Sequence, residues 1–138
     1  MLIEVLWSEL DDDADPLWSG QYCLYAYLHA RRDWLLYLGK ANFASVRNRL
    51  GGAKKAQLFA DIDLRYGTDG VRVLHGKLLL ERGSRLTSEL LADVESLLVL
   101  RLAPFGNTQS LKSDSRSGLR VHCVGDWPFN RFRFRGAG

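Results

Sequence analysis

The most regular pattern in the chain lies at residues 21–29, Gln-Tyr-Cys-Leu-Tyr-Ala-Tyr-Leu-His, whose aromatic and β-prone types predict a strand. Period two sets Cys23, Tyr25, Tyr27 and His29 on one face of it. Ala30-Arg31-Arg32-Asp33 is a polar turn, and Trp34 to Leu38 is the return strand. Asn42 is suited to cap a helix running to Leu50, with Phe43, Val46 and Leu50 inward and Gly51-Gly52 as the stop. A second helix is predicted from about Ala53 to Tyr66, with Leu58, Phe59 and Ile62 inside, and a strand from Val71 to Leu80. Thr87 or Ser88 caps a further helix to about Leu100, and Pro104-Phe105-Gly106 ends it in a loop. Leu119–Val124 and Phe129–Arg135 pattern as strands or extended segments, while residues 2–10 fit a short strand or a helix equally. The order β-β-α-α-β-α with a β-like tail predicts an α/β (α+β) fold: a small, mainly antiparallel central sheet flanked by helices. One domain is expected over 1–138, with a core at about 20–110, an acidic lead-in at 1–19 and a C-terminal extension at 111–138.

Composition narrows the class. The 138 residues are 46% hydrophobic and 25% charged, as in a globular domain able to bury a core without metal or disulfide staples. No apolar run approaches the ~20 residues of a membrane span, and Met1-Leu2-Ile3-Glu4 does not open a secretory signal. The two cysteines, Cys23 and Cys123, are far apart, which fits reduced thiols in a cytoplasm. The net charge is +3, but Asp11, Asp12, Asp13 and Asp15 concentrate negative charge near the start, so the remainder is clearly basic. That acidic run lacks the spacing of a calcium loop. Cys23, His122 and Cys123 make a poor zinc set, because adjacent His122 and Cys123 point to opposite faces of a strand.

Chemistry enters with a carboxylate in an apolar setting. Leu90, Leu91, Val94, Leu97 and Leu98 form one stripe of their helix, and Glu95 lies at its edge beside Leu91, Leu98 and Val99. A partly desolvated carboxylate there requires a cation or hydrogen bonds. Arg47 falls beside Phe43 and Leu50 and is expected to aim toward the domain body, where its planar fork suits a phosphate. Tyr25, Tyr27 and Tyr37 cluster in one hairpin. Gly39 either ends a strand or allows close approach to the backbone, Lys40 is by default solvated, and Asn107 is by default a turn residue. In the tail, Arg131, Arg133 and Arg135 alternate with phenylalanines, which puts three cations on one strand face, as a phosphate-tracking surface or as a charged edge.

As an ordered set, these residues resemble the GIY-YIG nuclease superfamily. The second motif reads Tyr37-Leu38-Gly39 followed by Lys40-Ala41, and Cys23-Leu24-Tyr25 stands where the first would be. Arg47 follows Tyr37 by ten residues, and Asn107 follows Glu95 by twelve, as in that family. The resemblance covers roughly residues 20–110. It implies a metal-dependent endonuclease that hydrolyses DNA phosphodiesters, structure-selective or directed by a protein partner. Glu95 would bind Mg²⁺ or Mn²⁺, and Tyr25, with Tyr27 as the alternative, would be the general base. Tyr37 would position the water or the phosphate, Arg47 would stabilise the phosphate, Asn107 would hold the site together near Glu95, and Gly39, Lys40 and Asn107 would contact substrate. Arg131, Arg133 and Arg135 lie outside the resemblance and would add substrate contacts if the tail tracks phosphates. Convergence of Tyr25 or Tyr27, Tyr37, Arg47 and Glu95 on one open concavity, bordered by Asn107 and flanked by the tail arginines, is the corresponding structural expectation. The altered first motif leaves a second reading, a catalytically inactive nucleic-acid-binding or adaptor module on the same fold.

Overall fold

Ile3, Val5 and Trp7 are buried while Glu4 and Leu6 are exposed, and this period-two burial makes residues 2–9 a strand rather than a helix. The computed structural model describes residues 1–11, 15–42, 45–47, 53–67, 71–107 and 118–136. Its elements are β1 (Leu2–Glu9), β2 (Cys23–His29), β3 (Leu35–Ala41), α1 (Ala53–Tyr66), β4 (Val71–Leu79), α2 (Ser88–Leu102), β5 (Arg120–Gly125) and β6 (Arg133–Arg135). The six strands form one sheet in the order β3-β2-β4-β1-β5-β6, and every neighbouring pair is antiparallel except β1 with β5. The mixed α/β, mainly antiparallel architecture expected from the sequence is therefore observed. The C-terminal extension is part of that sheet: β5 pairs with β1, and β6 closes the far edge.

The sheet has two dissimilar faces. On one, α2 lays Leu90, Leu91, Val94, Leu97 and Leu98 against Ile3, Val5, Leu24, Ala26, Leu28, Leu38 and Val121, and this is the main core. On the other, Leu58 and Phe59 of α1 pack with Cys23, Tyr25, Tyr27, Tyr37, Ala41 and Val46. Thr87 caps α2 by accepting the Leu90 N–H at 3.1 Å, one of the two caps the sequence offers. No helix among the described residues is long and apolar enough to cross a membrane.

Two local expectations are corrected. β3 runs on through Gly39 to Ala41 instead of ending at Leu38. Glycine does not stop it, because the ring of Tyr25 on β2 crosses directly over Gly39: a Cβ there would lie 2.6 Å from Tyr25 Cζ and Oη. Asn42 does not cap the following helix. It is buried and accepts a hydrogen bond from Ser88 Oγ at 3.4 Å, while helical geometry begins at Val46. The rest of the helix expected over 42–50, including Phe43 and Leu50, lies outside the described residues, as do Asp12 and Asp13 of the acidic run. That run ends in a short 3-10 turn, Pro16–Ser19, with Asp15 accepting from Leu17 N–H.

Candidate functional site

β3 is the edge strand on which most of the expected site residues meet. Strand alternation divides them. Tyr37 and Gly39 face α1, and Gly39 and Tyr37 stand opposite Tyr25 and Tyr27 on β2. Leu38 and Lys40 face α2, with Lys40 opposite Leu24.

On the α1 side the three tyrosines form one stack, with ring centroids 5.4 Å apart for Tyr25–Tyr27, 5.3 Å for Tyr27–Tyr37 and 6.1 Å for Tyr25–Tyr37. Tyr25 is 2% exposed and Tyr27 fully buried, whereas Tyr37 is partly exposed. Burial, and then the neighbouring Tyr25 and Tyr37 phenols, push the Tyr27 hydroxyl well above the ordinary tyrosine range. Tyr25 bears on that ionisation without meeting hydrogen-bond geometry: the Tyr27 hydroxyl finds no partner among the described residues. Of the three phenols, Tyr37 is the one a substrate reaches without opening the core.

On the α2 side Glu95 finds the cation its setting calls for. Lys40 Nζ donates to Glu95 Oε1 at 3.3 Å, with 34% of the lysine side chain and 18% of the glutamate exposed. Asn107 holds the strand edge between them and the loop that leaves α2. Its Oδ1 accepts the Leu38 N–H at 2.9 Å and its Nδ2 donates to the Leu38 carbonyl at 2.7 Å. One residue earlier, the Gly106 N–H donates to the Leu36 carbonyl. Residues 106–107 thus act as a miniature seventh strand along β3. Leu36 and Leu38 point their backbone groups outward, so period two points those of Lys40 outward as well, beyond the reach of Asn107.

The expected single concavity is therefore not what forms. Tyr25, Tyr27 and Tyr37 come together, and Lys40 pairs with Glu95, but on the two sides of one edge strand, while Asn107 binds the strand edge itself at Leu38. The cause is parity: Tyr37 and Lys40 are three apart in a strand, and α2 packs on the face away from the tyrosines. Arg47 does not aim into the domain body. Val46 is the buried residue of that pair, and the arginine is exposed. The tail arginines do not flank the site either. β6 is the opposite edge of the sheet, five strand spacings or roughly 24 Å from β3. There Arg131 donates to the Arg101 carbonyl and Arg101 to the Arg135 carbonyl, while Arg133 and Arg135 flank buried Phe134.

Two cysteines and a histidine serve the fold. Cys23 and Cys123 are free, buried, and pushed by burial up to about 12. His29 accepts the Arg31 N–H at Nδ1 and lies 3.3 Å from the Tyr66 carbonyl at Nε2, so the protonated Nε2 tautomer satisfies both contacts and fixes the hairpin turn. Among the described residues no three His, Cys, Asp or Glu side chains gather as a metal cage. Glu95 fits a hard divalent cation only in part: it is one carboxylate, partly open to water. Mg²⁺ accepts one carboxylate where waters and substrate phosphate complete its shell. The residues present thus suit a cation that arrives with a phosphate and displaces Lys40 from Glu95.

Sequence reading missed a group at the other end of β3. Trp34, Tyr66 and Phe105 line a cleft there, and the exposed tryptophan after the Arg31-Arg32-Asp33 turn was its only local signal. No family model, no curated protein and no solved structure matches the chain.

Proposed function

We propose that this domain hydrolyses DNA phosphodiesters with a divalent cation held by Glu95, at the part of the β3 edge next to Asn107 that no described residue pairs with. The observation that carries the reading is the ion pair of Lys40 with Glu95 beside the Asn107 clamp. Residues far apart in the chain, and singled out together by their resemblance to the GIY-YIG nucleases, meet on one edge strand. An edge strand is one residue thick, so a phosphate lying along it is approached from both faces: by Tyr37 from one, by Lys40 and Glu95 from the other.

Mg²⁺ or Mn²⁺, when bound, supplies charge neutralisation at the scissile phosphate. Lys40, released from Glu95, turns its ammonium to a phosphate oxygen, and its outward backbone N–H adds a second donor. Tyr37 orients the attacking water through its hydroxyl. Tyr25, buried across Gly39, acts by fixing the ring of Tyr37 and not as the base. Arg47 reaches the phosphate backbone from solvent, and Arg131, Arg133 and Arg135 contact DNA only where it extends across the whole sheet. Among the described residues no zinc cage or recognition helix stands out, and selection comes from DNA shape or from a protein partner.

A second reading is favoured by a specific observation: with Glu95 neutralised by Lys40 and the tyrosines on the opposite face, the domain binds nucleic acid without turnover. Nicking of plasmid and branched DNA with Mg²⁺ or Mn²⁺ tests the choice. Product formation that is lost in Glu95→Gln supports hydrolysis. DNA binding with steep salt dependence, no cation enhancement and no product supports the binding module.

A further inference from the structure

The residues at the start of β3 build a second feature, which neither the tyrosine stack nor the Lys40–Glu95 pair uses. A cleft of about 430 Å³ opens between Trp34 and Phe105. Tyr66 stands nearly perpendicular to both rings, at 5.7 Å and 69° from Trp34 and at 5.0 Å and 84° from Phe105. The floor is apolar, from Leu35 and Leu36. Trp34 is 42% exposed, so a large aromatic surface is left to solvent at the mouth.

The rim is cationic. The guanidinium of Arg32 lies 4.9 Å from the centre of the Trp34 ring, and that of Arg65 lies 4.7 Å from the centre of Phe105. Both arginines are exposed. The nearest acid along the turn, Asp33, is already engaged by Arg72 at 3.0 Å. An occupant is therefore flat, aromatic and attached to negative charge on two sides. An unstacked nucleobase with its flanking phosphates has that chemistry: its π-face stacks on tryptophan or phenylalanine, and its phosphates meet the arginines.

We propose that this cleft holds one unstacked base of the DNA strand, so that the preferred substrate carries an unpaired or distorted stretch. This rests on the reading of the domain as acting on nucleic acid, and it names the substrate class. The cleft and the Lys40–Glu95 pair stand at the two ends of one strand. Leu35 and Lys40 are five residues apart, or about 17 Å along β3, a span of a few nucleotides. One strand of DNA passing over the outer side of residues 106–107, which line β3 between the two, thus reaches both.

The test is binding of a fluorescently labelled oligothymidine and of a blunt duplex, at low salt with chelator present so that no cleavage intervenes. Trp34→Ala weakens single-strand binding by about tenfold and leaves duplex binding within about twofold, because a stacked base has no face to offer. Trp34→Phe keeps most of the affinity, since a smaller ring still stacks. The exposed pair Arg32→Ser with Arg65→Ser lowers single-strand affinity and its salt dependence, in a protein whose core is untouched. Equal loss for duplex and single strand in Trp34→Ala, or no loss in either Trp34→Ala or the arginine pair, would overturn the proposal. A protein that binds single strands through Trp34 and cuts no DNA refutes hydrolysis while leaving the cleft assignment standing.

Discussion

Lys40 and Glu95, fifty-five residues apart, meet at 3.3 Å on the α2 side of the edge strand β3. The pair joins the strand carrying Tyr37-Leu38-Gly39 to the middle of α2, and it sets the starting state of the proposed site. The carboxylate is held by an ammonium.

Because both side chains retain contact with water, the pair adds little to stability. Glu95→Gln is expected to change unfolding free energy by about 1 kcal/mol or less, read by urea denaturation. Lys40→Met should strengthen Mn²⁺ binding to the free protein, read by calorimetry, because the competing ammonium is gone. Weaker Mn²⁺ binding in that variant would place the cation elsewhere.

Asn107 is expected to matter for the fold more than for chemistry. Asn107→Ala removes both hydrogen bonds to Leu38 on an otherwise open edge, a loss of about 1–3 kcal/mol in unfolding free energy. Asn107→Asp keeps the acceptor for the Leu38 N–H but sets a negative charge against the Leu38 carbonyl. It should be no better than alanine.

Tyrosine replacements separate the three phenols. Tyr27→Phe discards a buried hydroxyl with no hydrogen-bond partner among the described residues, so stability is expected to be unchanged or raised by about 1 kcal/mol and nicking unaffected. Tyr37→Phe should lower nicking at least tenfold with stability near that of the unaltered protein. Equal activity in Tyr37→Phe would remove Tyr37 from the water-orienting role.

His75 gives the protein an acid limit. It is buried beside Gly20, and burial, only partly opposed by Asp15, lowers its pKa from the ordinary 6.5. A histidine depressed in the folded state binds its proton more readily when unfolded. Its contribution is therefore complete above pH 6.5 and declines as pH falls below that value toward the folded-state pKa. Denaturation midpoints measured across that window should decline with acid, and more steeply than in His75→Gln.

Much of this arrangement was legible in the chain. The β2–β3 hairpin, α1, β4 and α2 follow from period and caps, and Glu95 at the edge of its stripe, which required a cation or hydrogen bonds, is met by Lys40. What sequence spacing could not give was the side of the sheet each residue faces. A strand that ended at Leu38 would have left Lys40 in a loop, free to turn either way. Because β3 continues through Gly39, parity commits Lys40 to the α2 face and Tyr37 to the α1 face. The continuation depends on Tyr25 lying over Gly39, a cross-strand contact with no local signature. The tail was hidden for a similar reason: β5 pairs with β1, across nearly the whole chain, so its role as a sheet extension is not encoded near it. The Trp34–Tyr66–Phe105 cleft joins a turn, a helix end and a loop, and only tertiary packing assembles it.

The central claim is that Glu95 holds the cation for phosphodiester cleavage at the edge of β3. The most direct measurement is nicking of supercoiled plasmid by purified protein with Mn²⁺, comparing the unaltered chain with Glu95→Gln at equal DNA binding. The account predicts cation-dependent nicked product from the unaltered chain and at least a hundredfold less from Glu95→Gln. Nicking at the same rate by both, or bound DNA with no nicked product at any cation concentration, would contradict it.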